Sequence, residues 1–184
     1  ALRDITEQRG GTYTAAAVGE VNVTAEMKRT GAVIGGEGNG GVIFPEIHYG
    51  RDSLVGAALF LSYLAHYKDI YPDAPAECFN ERGTVKVSAV RERLPRYCIE
   101  KHRIELKDPS KVDSVLAAIK ERYSDKRITD IDGVKIDFDM ERKWVHLRKS
   151  NTEPIIRVYA EAPTSAEADS IADEIVMLAD SILG

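Results

Sequence analysis

Apolar patterning fails between residues 70 and 83, where Pro72, Pro75 and the polar run Asn80-Glu81-Arg82-Gly83 support neither a helical nor a strand period. Any element reaching such a break must end there, so the 184-residue chain is expected to build two small cores and not one large one. The boundary is placed after residue 75, giving domains 1–75 and 76–184. With 43% hydrophobic and 30% charged residues and a mean hydropathy of −0.27, the chain has the composition of a folded globular protein. A net charge of −5 and a pI of 5.5 show no sequence-wide basic excess, so no nucleic-acid partner is expected. An RNA-binding sheet would also need exposed aromatics on adjacent strands, and aromatics are only 7%. The longest mostly apolar stretch, residues 54–65, falls short of the ~20 residues of a membrane-spanning helix. No membrane association is expected.

Two cysteines, Cys78 and Cys98, are too few for a disulfide scaffold and lack C-x-x-C spacing, which fits a reducing, cytoplasmic setting. Cys98 and His102 stand four apart with no further ligand nearby, so ordinary packing is expected there and no metal site. The chain opens Ala1-Leu2-Arg3 with no initiator Met and no secretory pattern, the start expected of a fragment of a longer protein.

In the first half, residues 3–8 have the character of a helix end closed by Gly10-Gly11, residues 12–16 of a short strand, and residues 23–29 of a short helix. Ala32-Val33-Ile34 is expected to be a buried strand. Residues 35–41, with five glycines in seven, should be an irregular loop before a strand at Val42-Ile43-Phe44. From Ser53 the pattern turns helical, and apolar residues from Leu54 to Leu64 encircle it, which predicts burial on most of its surface. The second half differs. A helix over 85–94 stops at Pro95, and residues 97–106 form a strand. Asp108-Pro109 then opens a helix carrying Val112, Val115, Leu116, Ile119 and Tyr123 on one face. Residues 128–138, turned at Asp132-Gly133, give two short strands, and Trp144-Val145-His146-Leu147 and residues 155–159 give longer ones. Thr164-x-x-Glu167 is a capping box for a last helix with Ile171, Ile175, Leu178 and Ile182 in a stripe. Helices with antiparallel strands make this half α+β.

Chemistry concentrates in two loops. Arg148-Lys149-Ser150-Asn151-Thr152-Glu153-Pro154-Ile155-Ile156-Arg157 joins two strands but is too long for a minimal hairpin. Its two guanidinium forks, with Ser150, Asn151, Thr152 and backbone N–H groups between, are donors suited to a phosphate dianion. The same residues can equally form Asx or ST turns with solvated arginines at the edges, and Glu153 can tie down Arg148 as a structural pair. Residues 35–41 lack both the G-x-G-x-x-G context of a dinucleotide site and the Gly-Lys-Ser/Thr of a P-loop. They hold out Glu37 and Asn39, an acceptor and an amide that suit adjacent sugar hydroxyls, or else cap a flexible loop. His48-Tyr49-Gly50-Arg51-Asp52 can line the same cleft, although Asp52-Ser53 also suits a helix cap.

Gly35-Gly36-Glu37-Gly38-Asn39-Gly40-Gly41 resembles the sugar-recognition loop of the α-D-phosphohexomutases, and residues 148–157 resemble their phosphate-binding Ser-Asn-Thr-Glu-Pro signature, in the family's order. The resemblance covers essentially the whole chain and is nearest the phosphoglucomutase/phosphomannomutase branch. It implies part of the family's third, α/β domain followed by the complete fourth, a TATA-box-binding-protein-like α+β domain with an antiparallel sheet and packed helices. It implies that Glu37 and Asn39 hold sugar hydroxyls and that Arg148, Ser150, Asn151, Thr152 and Arg157 grip the phosphate not being transferred. No residue of this chain is then the nucleophile or a metal ligand. The phosphoserine and the Mg2+ site belong to missing N-terminal domains of the same polypeptide, and a glucose 1,6-bisphosphate-type activator is expected for the whole enzyme. The implied reaction interconverts hexose 1-phosphate and hexose 6-phosphate through a bisphosphate. A sugar-phosphate-binding fragment without turnover is the alternative. Asn39 stands where the family more often has serine, and Val21 where a basic residue is frequent. Loss of the third domain's first strand would leave a sheet edge open to self-association.

Overall fold

Along residues 156–162 fully buried side chains, Ile156, Val158, Ala160 and Ala162, alternate with half-buried ones, and this period of two makes the segment the axis of a sheet. In the computed structural model, which describes residues 1–38, 40–150 and 152–184, the chain divides into two units, Ala1–Pro95 and Arg96–Gly184.

The second unit holds five antiparallel strands: β4 (Cys98–Glu105), β5 (Arg127–Thr129), β6 (Val134–Phe138), β7 (Lys143–Lys149) and β8 (Ile155–Ala162), in the order β4-β8-β7-β6-β5. Ala160, Val145, Ile136 and Ile128 stand opposite one another across four strands, one row of the apolar face. Two helices cover that face, α6 (Val112–Arg122) and α7 (Ser165–Leu183). Both begin where the sequence predicts. Asp108 accepts from the Ser110 N–H at the 3-10 turn leading into α6, and Thr164 and Glu167 form the reciprocal capping box of α7. Ala168, Ala172 and Ala179 are fully buried, so α7 meets the sheet with small side chains, while Ile171 and Ile175 fill the space between. Each buried isoleucine or valine contributes about 1.5–3 kcal/mol.

The first unit contains α1 (Leu2–Gln8), α2 (Glu20–Thr30), α3 (Ser53–Ala65), α4 (Tyr67–Ile70) and α5 (Val87–Arg93), with an antiparallel sheet of β1 (Gly35–Gly36), β2 (Val42–Phe44) and β3 (His48–Arg51). Four expectations change here. Residues 12–16 are not a strand, because no described segment pairs with them. Ala32-Val33-Ile34 is neither paired nor buried, and Val33 is 77% exposed. The strand comes one step later, at the first two residues of the glycine run, where Met27 of α2 packs so closely that a Cβ on Gly35 would overlap its sulfur. Helix α3 forms as expected but is not buried: Leu54 is 80% and Leu61 64% exposed.

The unit boundary also falls later than residue 75. Tyr67 is completely buried in a cluster with Val85, Ala89 and Val90, against which Tyr63, Tyr71, Cys78 and Phe79 pack. The proline-rich segment therefore loops out and returns α5 to the first unit. Prolines mark the interruption but not which core the following helix joins.

Candidate functional site

The antiparallel pairing of β7 with β8 sets Arg148 directly opposite Arg157. Both belong to the face away from the helices, since Leu147 and Val158 beside them are fully buried on the other side. Two guanidinium groups on facing positions repel each other, an arrangement that costs stability unless anionic groups share the space. Carboxylates occupy the flanks: Arg148 Nη1 lies 3.3 Å from Asp132 Oδ2, and Arg157 Nη2 lies 3.2 Å from Glu153 Oε2. Among the described residues Glu153 thus pairs with Arg157, four residues on, and not with Arg148. Hydrogen bonding to Tyr159, with Glu153 adding its charge, holds the Arg157 guanidinium above its usual value, so it stays cationic.

Backbone bonds pin the loop. Ser150 N–H donates to the Ile155 carbonyl (3.1 Å), Ile155 N–H to that of Glu153 (2.8 Å), and Leu106 N–H to that of Pro154 (3.0 Å). Ser150 is only 6% exposed, and its Oγ has three contacts at 3.5 Å, with Thr152 N, Thr152 Oγ1 and Arg157 Nη2. These lie at the outer limit of a hydrogen bond. Ser150, Thr152, Arg148 and Arg157 are therefore gathered together as the sequence predicts; Asn151 lies outside the described residues.

Sequence reasoning did not find Asp132 as the partner of Arg148. The turn before β6 presses against β7: Gly133 has φ +80°, and a Cβ there would run into the Leu147 carbonyl oxygen and sit 3.1 Å from Arg148 Cα. His146 meets the Asp132 carbonyl at the same place. Only the strand register brings residue 132 beside 148, and no local spacing signals it.

In the first unit, Glu37 N–H donates to the Gly41 carbonyl (3.1 Å) and Gly40 N–H to that of Glu37 (3.0 Å), a tight turn that places the Glu37 side chain, 16% exposed, beside Arg51. Arg51 Nη1 is 3.9 Å from Glu37 Oε1, while its Nε lies 2.9 Å from Glu20 Oε2 and its backbone N–H donates to Glu20 Oε1 (3.2 Å). Glu20 is held below the usual carboxylate range by that backbone N–H first and the guanidinium second. Glu20 thus holds Arg51, whose guanidinium lies beside Glu37, and Glu20 is the second residue missed from sequence. His48 and Asp52 are tied to each other (3.1 Å), with Asp52 capping α3 through the Leu54 and Val55 N–H groups. Asn39 lies outside the described residues. Among those described, no group of three or more His, Cys, Asp or Glu side chains is placed to hold a metal ion.

Two family models match in succession. The one described as phosphoglucomutase/phosphomannomutase, alpha/beta/alpha domain III, covers residues 1–80, and the one described as the C-terminal domain of the same family covers residues 102–178. The chain belongs to the phosphoglucomutase/phosphomannomutase family. A probable phosphoglucosamine mutase of Methanopyrus kandleri is 31% identical over 95% of this chain and 35% of its own length. A phosphoglucosamine/phosphogalactosamine mutase of Sulfurisphaera tokodaii is 36% identical over 86% and 31%, respectively. A phosphoglucomutase/phosphomannomutase of Thermococcus kodakarensis is 32% identical over 91% and 33%. The chain spans about a third of the length of these curated relatives. A crystal structure of a phosphoglucomutase/phosphomannomutase family protein from Burkholderia thailandensis matches 98% of the chain and 35% of that protein at 24% identity, with a TM-score of 0.71. The fold is that of the family's third domain followed by its fourth.

Proposed function

We propose that this chain is the substrate-gripping part of a phosphohexomutase that interconverts hexose 1-phosphate and hexose 6-phosphate through a phosphoserine enzyme and a bisphosphate intermediate. The observation that supports it most is the facing pair Arg148 and Arg157, with the buried Ser150 placing its hydroxyl 3.5 Å from Arg157 Nη2. A phosphate dianion entering there takes two forked donors, the hydroxyls of Ser150 and Thr152 and the Thr152 backbone N–H, and it displaces Glu153 from an exposed pair and Asp132 from a part-buried one. Asn151 and Asn39 keep the roles that the family resemblance gives them, beside the phosphate and the sugar respectively. Glu37, braced by Arg51, accepts from hydroxyls that differ little among hexoses.

In the whole enzyme the serine O–P bond breaks as a sugar O–P bond forms. The bisphosphate then turns over, so that the second phosphoryl group returns to serine. Each phosphate in turn occupies the arginine loop, so binding there must be firm yet reversible, and its contribution to rate is orientation. Mg2+ and a bisphosphate activator are assigned to the longer polypeptide. A cytoplasmic setting belongs to the same proposal, in keeping with the free thiols Cys78 and Cys98.

A 15N-HSQC titration of the 184-residue chain with glucose 1-phosphate, glucosamine 6-phosphate and inorganic phosphate tests this. The amides of residues 150–153 and of Ile155 are expected to shift with all three ligands, those of residues 35–41 only with the sugars, and no ligand is turned over. Arg157→Ala should weaken phosphate binding at least tenfold. Silence of both loops at saturating sugar phosphate would overturn the assignment.

A further inference from the structure

The arginine pair does not end at β8. On its other edge β8 pairs with β4, and the residue opposite Arg157 is Arg103. Arg103, Arg157 and Arg148 therefore form one row across three adjacent strands, on the face the helices leave uncovered. Facing Cβ atoms in such a ladder are about 4.5–5.5 Å apart, a gap that a guanidinium on its three-carbon stem easily spans. Arg103 is as far from the Ser150 loop, counted along the strands, as Arg157 itself. It is held by Glu105 at 2.9 Å, a pair in which both side chains are about two-thirds exposed (68% and 65%). Glu105 stands opposite Ile155, two residues nearer the loop.

Three cations in one row, each with its own carboxylate, Glu105, Glu153 and Asp132, are a costly design for a strand surface that only needs to face water. The same row is well suited to an anion that arrives with two negative charges and leaves again, because each carboxylate neutralises its arginine while the site is empty.

From this row we infer that Arg103 is a third phosphate-binding residue and that Glu105 competes with the phosphate for it. The inference rests on the phosphate reading of the Ser150 loop given above. Arg103 swings from Glu105 to the phosphate when the loop is occupied, so the exposed ion pair Arg103–Glu105 sets how easily the site loads.

The test is a titration of the 184-residue chain with inorganic phosphate, read from the Ser150 and Thr152 amides, for the wild type and four variants. Arg103→Ala should weaken binding about three- to tenfold and flatten its salt dependence, as removal of one phosphate contact does. Glu105→Gln should tighten binding two- to threefold, a gain that loss of structure cannot produce. In the double variant the Glu105→Gln gain should vanish, since the two residues act through one contact. Arg157→Ala separates the two claims. If Arg157→Ala abolishes the shifts while Arg103→Ala and Glu105→Gln titrate as wild type, Arg103 is a solvated edge residue and this inference fails alone. If Arg157→Ala leaves binding unchanged, the phosphate reading of the loop fails and this inference with it.

Discussion

At Gly133 a methyl group has nowhere to go. The backbone is in the left-handed region, and the Leu147 carbonyl and Arg148 Cα close the space on the side a Cβ would take. Gly133→Ala is expected to cost roughly 1–3 kcal/mol in stability, the scale of a strained backbone residue. It should also weaken phosphate binding, because relief of the clash displaces β7 exactly where Arg148 emerges. A lowered urea midpoint together with a reduced phosphate affinity supports this coupling, and a variant equal to wild type in both shows that the turn relaxes without moving the arginine. Residues of this kind explain what was legible at the site. Arg148, Ser150, Thr152 and Arg157 were readable because they lie within ten positions and share one chemistry. Asp132, Glu20 and Arg103 were not, because each reaches its place through strand register or tertiary contact, which linear spacing does not encode.

Helix α3 shows what local signals can and cannot decide. Its start was legible: Asp52 Oδ1 accepts from Leu54 and Val55 N–H at 2.8 and 3.0 Å. The Val55 bond first, then His48 and the Leu54 bond, hold the Asp52 carboxyl below its ordinary value. A carboxyl lowered in the folded state stabilises the fold fully above its unfolded value, about 3.9 for aspartate, and loses that contribution as pH falls through the lowered folded value. The cap should therefore be constant through neutral pH and fail only in acid. Followed by NMR, the Leu54 and Val55 amides should titrate with a midpoint below 3.9, and Asp52→Asn, which keeps the acceptor, should remove that titration. A midpoint at or above the ordinary aspartate value would contradict the capping account. Caps and apolar stripes also made α6 and α7 legible, since a cap is written within one turn and a stripe at spacings of three and four residues. The strands expected at residues 12–16 and 32–34 failed for the converse reason. β-branched residues favour extended backbone, but a strand exists only where a neighbour accepts its hydrogen bonds.

Over the whole chain, apolar surface is distributed unevenly between the two units. Residues 96–184 close one continuous cluster between the sheet and α6 and α7. The buried groups of residues 1–95 are few, and α3 instead presents Leu54, Ala57, Ala58 and Leu61 to solvent. That spacing, i, i+3, i+4 and i+7, is the stripe a helix normally buries. Phe60 and Leu59 widen it. The edge strands of this sheet, β1 with two residues and β3 with four, offer only short ladders, so self-association of the 184-residue chain is expected through α3 on a second copy of itself. Light scattering should show a mass that rises with concentration. Leu61→Glu should return the chain to a monomer while leaving phosphate shifts at Ser150 and Thr152 unchanged, because the substitution lies in the other unit. A constant monomer mass for the wild type would mean that water tolerates this stripe. Association that persists in Leu61→Glu would move the contact to another surface.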